Sequence, residues 1–285
     1  MRGPISSSLT ALVLGAFVAC GYPGVDDLPS PGPSFSSKDG GGGVSEGDGA
    51  TPATTPDASA NETGPSVPDQ DGDGVADDQD CDPVNANVGA RLVQDDLSVA
   101  RGHFSAADGF PAVSWEHSGN AYRQIRLDAG SDLSFFVRDG AVSNVSFEVT
   151  AASTEVSGAI TPKLRQMFIV VGASSQQGQL LAHGCGVEVV EGETPEQKTS
   201  VVRLSGPTGA VTTTPLDRVA RPALQANEEF GMRATLEGGK LTCVITQNGQ
   251  TTTAQANVGA LTGSVGMFTR QTKALFKNAR VCKLK

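Results

Sequence analysis

The sequence has no long apolar segment after its first twenty residues, and it is poor in the residues that many active sites use. No later stretch approaches the roughly 20 apolar residues that a transmembrane helix needs. There are only 3 histidines, His103, His117 and His183, and none has a carboxylate or cysteine at metal-ligand spacing. No serine lies in the strand–turn–helix context of a nucleophile elbow. These absences count against a histidine-based or serine-based enzyme.

Basic residues are scarce too, and the imbalance of charge is confined to one part of the chain. The net charge is −10, from 31 acidic and 21 basic side chains. Residues 21–89 hold 14 acidic residues against one lysine, whereas residues 90–285 hold 17 acidic against 19 basic residues. The C-terminal part is therefore nearly neutral and has no stripe of Lys or Arg, which argues against a nucleic-acid partner.

The first twenty residues have the features of an export signal, predicted over residues 1–19. Arg2 supplies the positive start, and the apolar stretch from Leu9 to Val18 is too short to span a bilayer. The segment Phe17-Val-Ala-Cys20 resembles the lipobox of bacterial lipoproteins. That resemblance implies that Cys20 is lipidated and anchors an exported protein to a membrane, at the bacterial outer membrane or cell surface. The alternative is an ordinary signal peptide, with Cys20 left as a spare thiol.

A segment of low complexity follows, over residues 20–68. It contains Gly40-Gly-Gly-Gly43, many Ser, Thr, Pro and Asp residues, and few large apolar side chains. Such a segment cannot bury enough surface to offset its ordering entropy. We therefore predict a disordered, acidic tether. At about 5–6 Å × √n for a Gly-rich coil, it would hold the next domain on the order of 40 Å from a membrane.

Residues 69–80 place carboxylates at alternate positions around a glycine. Asp69, Asp71 and Asp73 occupy positions one, three and five of an EF-hand-type loop. Gly74 falls at position six, where the loop needs a residue that adopts positive φ. The spacing predicts a Ca²⁺ site whose remaining ligands are the Val75 carbonyl, Asp77 and Asp80.

The loop departs from the EF-hand pattern at its end and in its surroundings. Asp80 is one methylene shorter than the usual bidentate glutamate, so the loop must close more tightly or recruit Asp78 or Asp82. No helical pattern flanks it, which argues against a helix–loop–helix calcium sensor. The alternative is an acidic, solvated linker, but carboxylates this crowded repel one another unless a cation neutralises them.

The run from Asp69 to Pro83 resembles the thrombospondin type 3 repeat and the related Asp-Cys-Asp repeat of bacterial surface lipoproteins. Those repeats bind calcium structurally, so the resemblance implies a calcium-binding repeat over residues 69–89. The family pattern usually has one further residue before its cysteine, whereas here Cys81 follows Asp80 directly.

Five cysteines are present, and four remain if Cys20 is lipidated. An even set is consistent with disulfides in an oxidising compartment, and four cysteines allow three pairings. Cys185 and Cys243 each lie in an apolar run that could form adjacent strands. Cys81 would then pair with Cys282 and join the calcium loop to the last strand.

Residues 90–285 are long enough for one domain with a sizeable core. Short alternating or apolar runs are separated by Gly, Asn, Asp and Pro, and no run shows a convincing helical period. This pattern predicts an all-β fold, an antiparallel β-sandwich. The predicted strands are residues 113–117, 122–127, 133–137, 145–151, 165–171, 185–190, 199–204, 230–236, 240–246, 251–257, 264–269 and 274–284.

The end of this domain is its most specific part. Residues 230–250 predict two strands joined by a Gly-Gly hairpin and closed by an Asn-Gly turn. Gly263-Ser-Val-Gly-Met-Phe268 and a last strand around Phe276 follow. This order resembles the end of concanavalin A-like, laminin-G-like jelly rolls, and the resemblance implies that fold without naming a ligand.

Many jelly rolls of that group are glycosidases, which need two carboxylates about 5–10 Å apart. The Glu-x-Asp-x-Glu signature of family 16 glycoside hydrolases is absent. In the closest run, Glu188 and Glu191 would lie on opposite faces of a strand next to a turn, so we interpret it as a solvated strand end. We predict no catalytic residues.

Trp115 and Tyr122 are candidates for stacking on a sugar ring, although a lone tryptophan in a β-sandwich more often belongs to the core. The leading hypothesis is a non-catalytic envelope lipoprotein with a structural calcium site, whose β-sandwich binds a glycan or a surface protein. The alternatives are an extracellular carbohydrate-active enzyme, either a hydrolase or a lyase, with an unrecognised active site, and a structural adhesin. Nothing in the sequence predicts the oligomeric state.

Overall fold

The computed structural model describes residues 67–106, 114–127, 131–136, 142–156, 165–190, 196–207, 210–225 and 227–285. All of them belong to one of the two units of the chain, Glu62–Lys285. The predicted signal peptide, Cys20 and nearly all of the predicted tether lie outside the described residues. The described ranges contain no helix with the length and hydropathy of a membrane span.

The described part of the chain contains fifteen β-strands. They are β1 (Val88–Asp95), β2 (Phe104–Ala106), β3 (Trp115–Ser118), β4 (Ala121–Gln124), β5 (Ser131–Phe136), β6 (Val145–Val156), β7 (Arg165–Gln176), β8 (Gln179–Val190), β9 (Glu196–Pro207), β10 (Thr212–Ala220), β11 (Phe230–Glu237), β12 (Lys240–Gln247), β13 (Gln250–Asn257), β14 (Ser264–Arg270) and β15 (Thr272–Leu284).

The strands form two antiparallel sheets. The eight-stranded sheet has the order β13-β12-β11-β6-β15-β4-β3, with β1 also paired to β15. The seven-stranded sheet has the order β10-β9-β8-β7-β14-β5-β2. The two sheets enclose a common core, so the predicted all-β antiparallel sandwich is confirmed.

The core follows the two-residue period of the strands. In β11, Phe230, Met232 and Leu236 are buried, while Arg233 between them is exposed. Phe147 and Phe276 are fully buried on the neighbouring strands β6 and β15. The residues of β11 and β6 that alternate with the core, such as Arg233 and Glu148, therefore form the outer face of the eight-stranded sheet.

The two disulfides are Cys81–Cys282 and Cys185–Cys243, which is the pairing that the sequence favoured among three. Cys185 on β8 and Cys243 on β12 join the two sheets through the core. Cys81 and Cys282 have Cα atoms 5.9 Å apart and join the segment before β1 to the last strand. The Cys81–Cys282 bond therefore fastens the acidic loop to the sandwich.

Candidate metal centre

Residues 69–74 form a tight turn around the carboxylate of Asp69. Asp69 Oδ1 accepts hydrogen bonds from the backbone amides of Gly72, at 2.9 Å, and Asp73, at 3.2 Å, while Oδ2 accepts one from Gly74 at 3.0 Å. Gly74 has φ of 88° and space around it, as its predicted role in the turn requires. The local sequence therefore shapes the turn directly.

This turn brings three carboxylates together. One oxygen from each of Asp69, Asp71 and Asp73 lies within 4.8 Å of the others. Because Ca²⁺ binds oxygen at about 2.3–2.6 Å, two ligands on opposite sides of one ion are separated by about 5 Å. The spacing of the three oxygens therefore fits a single calcium ion.

The electrostatics of the cluster also indicate a cation. Partial burial raises the pKa of Asp71, and the negative charges of Asp73, Asp80 and Asp69 add to the rise, against a hydrogen bond from the Asp73 amide that lowers it. The neighbouring carboxylates thus disfavour the ionised form of Asp71, and a bound dication would offset that repulsion.

Three carboxylate oxygens at this site are buried without a hydrogen-bond donor among the described residues, namely Asp71 Oδ2, Asp73 Oδ2 and Asp80 Oδ2. Asp73 Oδ2 has an ion-pair partner instead, Lys285 Nζ at 2.8 Å, and the Asp80 residue has no exposed surface at all. An unpaired buried carboxylate oxygen is costly. A hard cation is the partner that such oxygens fit, so the donor set is appropriate for calcium.

The remaining predicted ligands, the Val75 carbonyl, Asp77 and Asp80, do not belong to the cluster of three converging carboxylates. Asp77 Oδ1 accepts a hydrogen bond from the Gln70 amide at 2.8 Å, and the Asp77 amide donates to the Pro68 carbonyl at 2.9 Å. Asp77 therefore closes the loop on itself. Ligation by the Val75 carbonyl, Asp77 and Asp80 stays a prediction.

The loop is docked on the sandwich at its last predicted ligand position, Asp80. Asp80 forms a β-bridge with Ala90, and the Arg91 guanidinium donates to the Asp80 carbonyl at 2.5 Å. The Arg91 amide also donates to the Gln79 carbonyl at 2.8 Å. Together with the disulfide at Cys81, these bonds place the candidate centre against the edge formed by β1.

One residue at the centre has no signal in the local sequence. Lys285 Nζ lies 2.8 Å from Asp73 Oδ2 and donates a hydrogen bond to the Asp73 carbonyl at 2.6 Å. The Lys285 ammonium group beside the Asp73 carboxylate lowers the pKa of Asp73, against a rise from desolvation. The contact spans nearly the whole domain in sequence, so only the fold brings the two residues together.

A polar groove borders the loop on the outer face of the eight-stranded sheet; we call it the Glu148 groove. Its volume is about 500 Å³, and residues that line it include Asp82, Asn85, Glu148, Arg233, Thr235 and Arg280. Glu148 Oε2 accepts a hydrogen bond from Arg280 at 2.6 Å, and Glu148 Oε1 lies 3.7 Å from Arg233 Nη1. The groove floor is thus a row of one carboxylate between two guanidinium groups.

Comparison with known proteins gives fold likeness alone. No protein-family model matches the sequence, and no curated protein matches it. Solved structures with a similar fold include the carbohydrate-binding module CBM66 from Bacillus subtilis, with 10% identity over 62% of this chain and 93% of that chain and a TM-score of 0.43. The Bacillus licheniformis β-glucanase has 11% identity over 69% and 99% of the two chains, with a TM-score of 0.45. A legume lectin-like domain from Entamoeba histolytica has 8% identity over 68% and 97%, with a TM-score of 0.44.

These structures are a carbohydrate-binding module, a β-glucanase and a lectin-like domain, and the likeness concerns the fold alone. At such identities no site residue transfers from them to this chain. The residues of the candidate sites therefore depend on their own geometry.

The proposed sugar-stacking residues belong to the core. Trp115 and Tyr122 are only 8% and 4% exposed. Their rings stack on each other with centroids 5.0 Å apart, and Trp115 also packs against Phe276. Their burial is what a lone tryptophan packed in the core of a β-sandwich predicts, and contact with a glycan at these two residues stays a prediction.

Glu188 is also placed differently from the interpretation as a solvated strand end. It is completely buried on β8. Its Oε1 accepts hydrogen bonds from Ser200 at 2.7 Å and from Arg218 at 2.5 Å, and Oε2 accepts one from Gln166 at 3.3 Å. That interpretation is wrong, because the neighbouring strands β7, β9 and β10 supply side chains that surround the carboxylate. Glu191 lies outside the described residues.

Proposed function

We propose that residues 69–82 bind one Ca²⁺ ion, which fastens the acidic tether to the β-sandwich of a non-catalytic, exported binding module. The observation that carries this proposal is the convergence of Asp69, Asp71 and Asp73 oxygens within 4.8 Å, beside a fully buried Asp80 with an unpaired oxygen. The chemistry that calcium supplies here is charge neutralisation and cross-linking of the loop.

The position of the loop supports a mechanical role. It lies directly before β1, where the chain enters the sandwich, and Cys81 follows its last candidate ligand. If Cys20 is lipidated, the tether connects this junction to a membrane at the cell surface. Calcium and the disulfide would then hold the junction against movement of the tether.

The calcium proposal is tested by thermal melting of the purified full chain with increasing Ca²⁺. At a free concentration one hundred times Kd, binding adds about 2.7 kcal/mol to the free energy of unfolding. For a domain of this size that corresponds to a rise in Tm of about 5–10 °C. The variant Asp71→Asn/Asp73→Asn should lose this rise, because it removes two of the three convergent carboxylates.

The matched control removes the same charge from the tether, as Asp57→Asn/Glu62→Gln, and should keep the rise. A wild-type chain that shows no rise, or a loop variant that responds as the wild type does, contradicts the calcium proposal.

For the sandwich itself we propose glycan binding at the Glu148 groove. Glu148, Arg233 and Asn85 offer planar groups with paired donors or acceptors, which match neighbouring sugar hydroxyls. Glu148 is held by Arg280 and Glu188 by three donors, so neither is a free acid or nucleophile of the kind that glycoside cleavage needs. These pairings support binding without catalysis.

Calorimetry against a panel of polysaccharides, with release of reducing sugar followed in parallel, tests this second proposal. Arg233→Ala should weaken binding of any glycan that binds, whereas Arg203→Ala, an exposed arginine on β9 of the other sheet, should not. Turnover of a glycan would contradict the non-catalytic assignment and favour a carbohydrate-active enzyme. Absence of glycan binding, with retention of a surface protein, would favour the structural adhesin.

A further inference from the structure

The side chain of Lys285 reaches into the candidate calcium loop. Its Nζ donates to the Asp73 carbonyl at 2.6 Å and lies 2.8 Å from Asp73 Oδ2. The Asp73 side chain has no exposed surface, whereas 44% of the Lys285 side chain is exposed. A buried carboxylate of the cluster is therefore paired with a cation that can return to water.

The fold holds Lys285 at this place through its backbone. The Lys285 amide donates to the Asn87 carbonyl at 3.3 Å, and the preceding Leu284 amide donates to the Asn144 carbonyl at 3.1 Å. Cys282, three residues earlier, is bonded to Cys81 of the loop segment. The lysine is thus attached to the loop from the opposite end of the domain and does not reach it by a chance surface contact.

We propose that Lys285 is a built-in competitor of calcium: its ammonium group neutralises Asp73 when the metal is unbound and must leave that carboxylate for the metal to bind. This inference rests on the proposed calcium site and adds a residue that sets its affinity. Cations that both contact Asp73 Oδ2 would lie within about 5 Å of each other and repel. Lysine is suited to this exchange because its long, flexible side chain carries a strongly hydrated charge.

The competition has two measurable consequences. Removing the ammonium group should tighten calcium binding by about two- to fivefold, the range expected of an ion pair whose cation is partly exposed to water. It should also lower the Tm of the calcium-free protein, because the loop then loses its internal cation. The Tm at saturating calcium should be unchanged, because the lysine no longer pairs with Asp73 in that state.

The experiment is calorimetric titration of Ca²⁺ into the full chain, for the wild type and Lys285→Met, with melting curves in EGTA and in excess calcium. Lys283→Met is the matched control, because Lys283 is an exposed lysine on β15, two residues before Lys285. It should leave Kd and both melting temperatures unchanged. Lys285→Arg retains the positive charge and should bind calcium more nearly as the wild type does.

The outcomes separate this inference from the proposal beneath it. If the wild type binds calcium and Lys285→Met binds it equally or more weakly, Lys285 is not a competitor, although the calcium site stands. An equal tightening in Lys283→Met would attribute the effect to general charge and also overturn the inference. If neither the wild type nor Lys285→Met binds calcium, the site and the inference are both wrong.

Discussion

Replacing Cys81 and Cys282 together with alanine removes the covalent connection between the loop segment and β15. The two residues are separated by 201 positions, and both are almost fully buried, at 8% and 4% exposure. After the change, the segment before β1 keeps the Asp80–Ala90 bridge, the bonds from Arg91 and the hydrogen bond from Arg280 to the Cys81 carbonyl. The variant therefore measures what the disulfide adds to these contacts.

The expected loss comes mainly from the unfolded chain. In the chain-entropy treatment, a loop of this length contributes about 5 kcal/mol to the free energy of unfolding at 25 °C. The inner disulfide, whose residues are 58 positions apart, shortens the effective loop to roughly 140 residues and lowers this value by only a few tenths of a kcal/mol. Native disulfides of small secreted domains span about 2–5 kcal/mol, so the prediction lies at the upper end.

Urea denaturation of the wild type and the double variant, each in EGTA and in excess calcium, is the measurement. Mass spectrometry after thiol alkylation establishes that the bond is present in the wild type and absent in the variant. We expect a loss of about 3–5 kcal/mol and a smaller stabilisation by calcium, because the loop is then less firmly attached. An unchanged free energy of unfolding with the bond demonstrably absent would refute this account of the junction.

Three further changes test the core and its polar groups. Gly186→Ala would place a Cβ 2.1 Å from the Met167 carbonyl oxygen, so thermal melting should show a loss of about 1–3 kcal/mol or more in the free energy of unfolding. Gly231→Ala is the control and should be tolerated, because the nearest atoms to its new Cβ lie at 3.9 Å. Glu188→Gln leaves the guanidinium group of Arg218, on β10, without a counter-charge. Breaking a fully buried ion pair typically costs about 3–5 kcal/mol, but the Arg218 side chain is 35% exposed. Urea denaturation should therefore show a loss of about 1–3 kcal/mol in the free energy of unfolding. Burial, and then the charge of a neighbouring arginine, lowers the pKa of His183 below 6.5. As the pH falls below about 6.5, His183 therefore binds more protons in the unfolded chain than in the folded one, and the free energy of unfolding decreases. His183→Gln should reduce that decrease between pH 7.5 and 5.5.

The strand pattern could be predicted well where a strand has one buried face. All twelve predicted runs lie wholly or partly within strands of the structure. The runs that were missed are β1, β2 and β10. In β10 every residue is exposed or half-buried, and Pro215 interrupts the run; β10 is the edge strand of its sheet, where proline is tolerated. An edge strand without a buried face has no alternation for sequence reasoning to detect.

The residues of the candidate metal centre also differ in how far they could be predicted from the sequence. Asp69, Asp71 and Asp73 were predictable because a turn within six residues brings them together. Lys285 was not, because its contact with Asp73 depends on the pairing of β1 with β15 and on the disulfide. Glu188 is a similar case, since its partners come from three other strands. Residue spacing identifies a site made by one segment, whereas tertiary packing decides what else reaches it.

The calcium loop and the Glu148 groove share wall residues. The bonds that connect those residues to the rest of the groove limit how far metal binding at the loop can change ligand binding in the groove. Cys81 and Asp82 form part of the groove wall, and Arg280 donates both to the Cys81 carbonyl, at 3.5 Å, and to Glu148, at 2.6 Å. A single long hydrogen bond to a half-buried arginine transmits little free energy, about 1 kcal/mol at most. The disulfide, in contrast, holds the wall itself against β15. Groove binding should therefore depend more strongly on the disulfide than on calcium, and a calcium ion bound at the proposed site would act chiefly on the segment before β1.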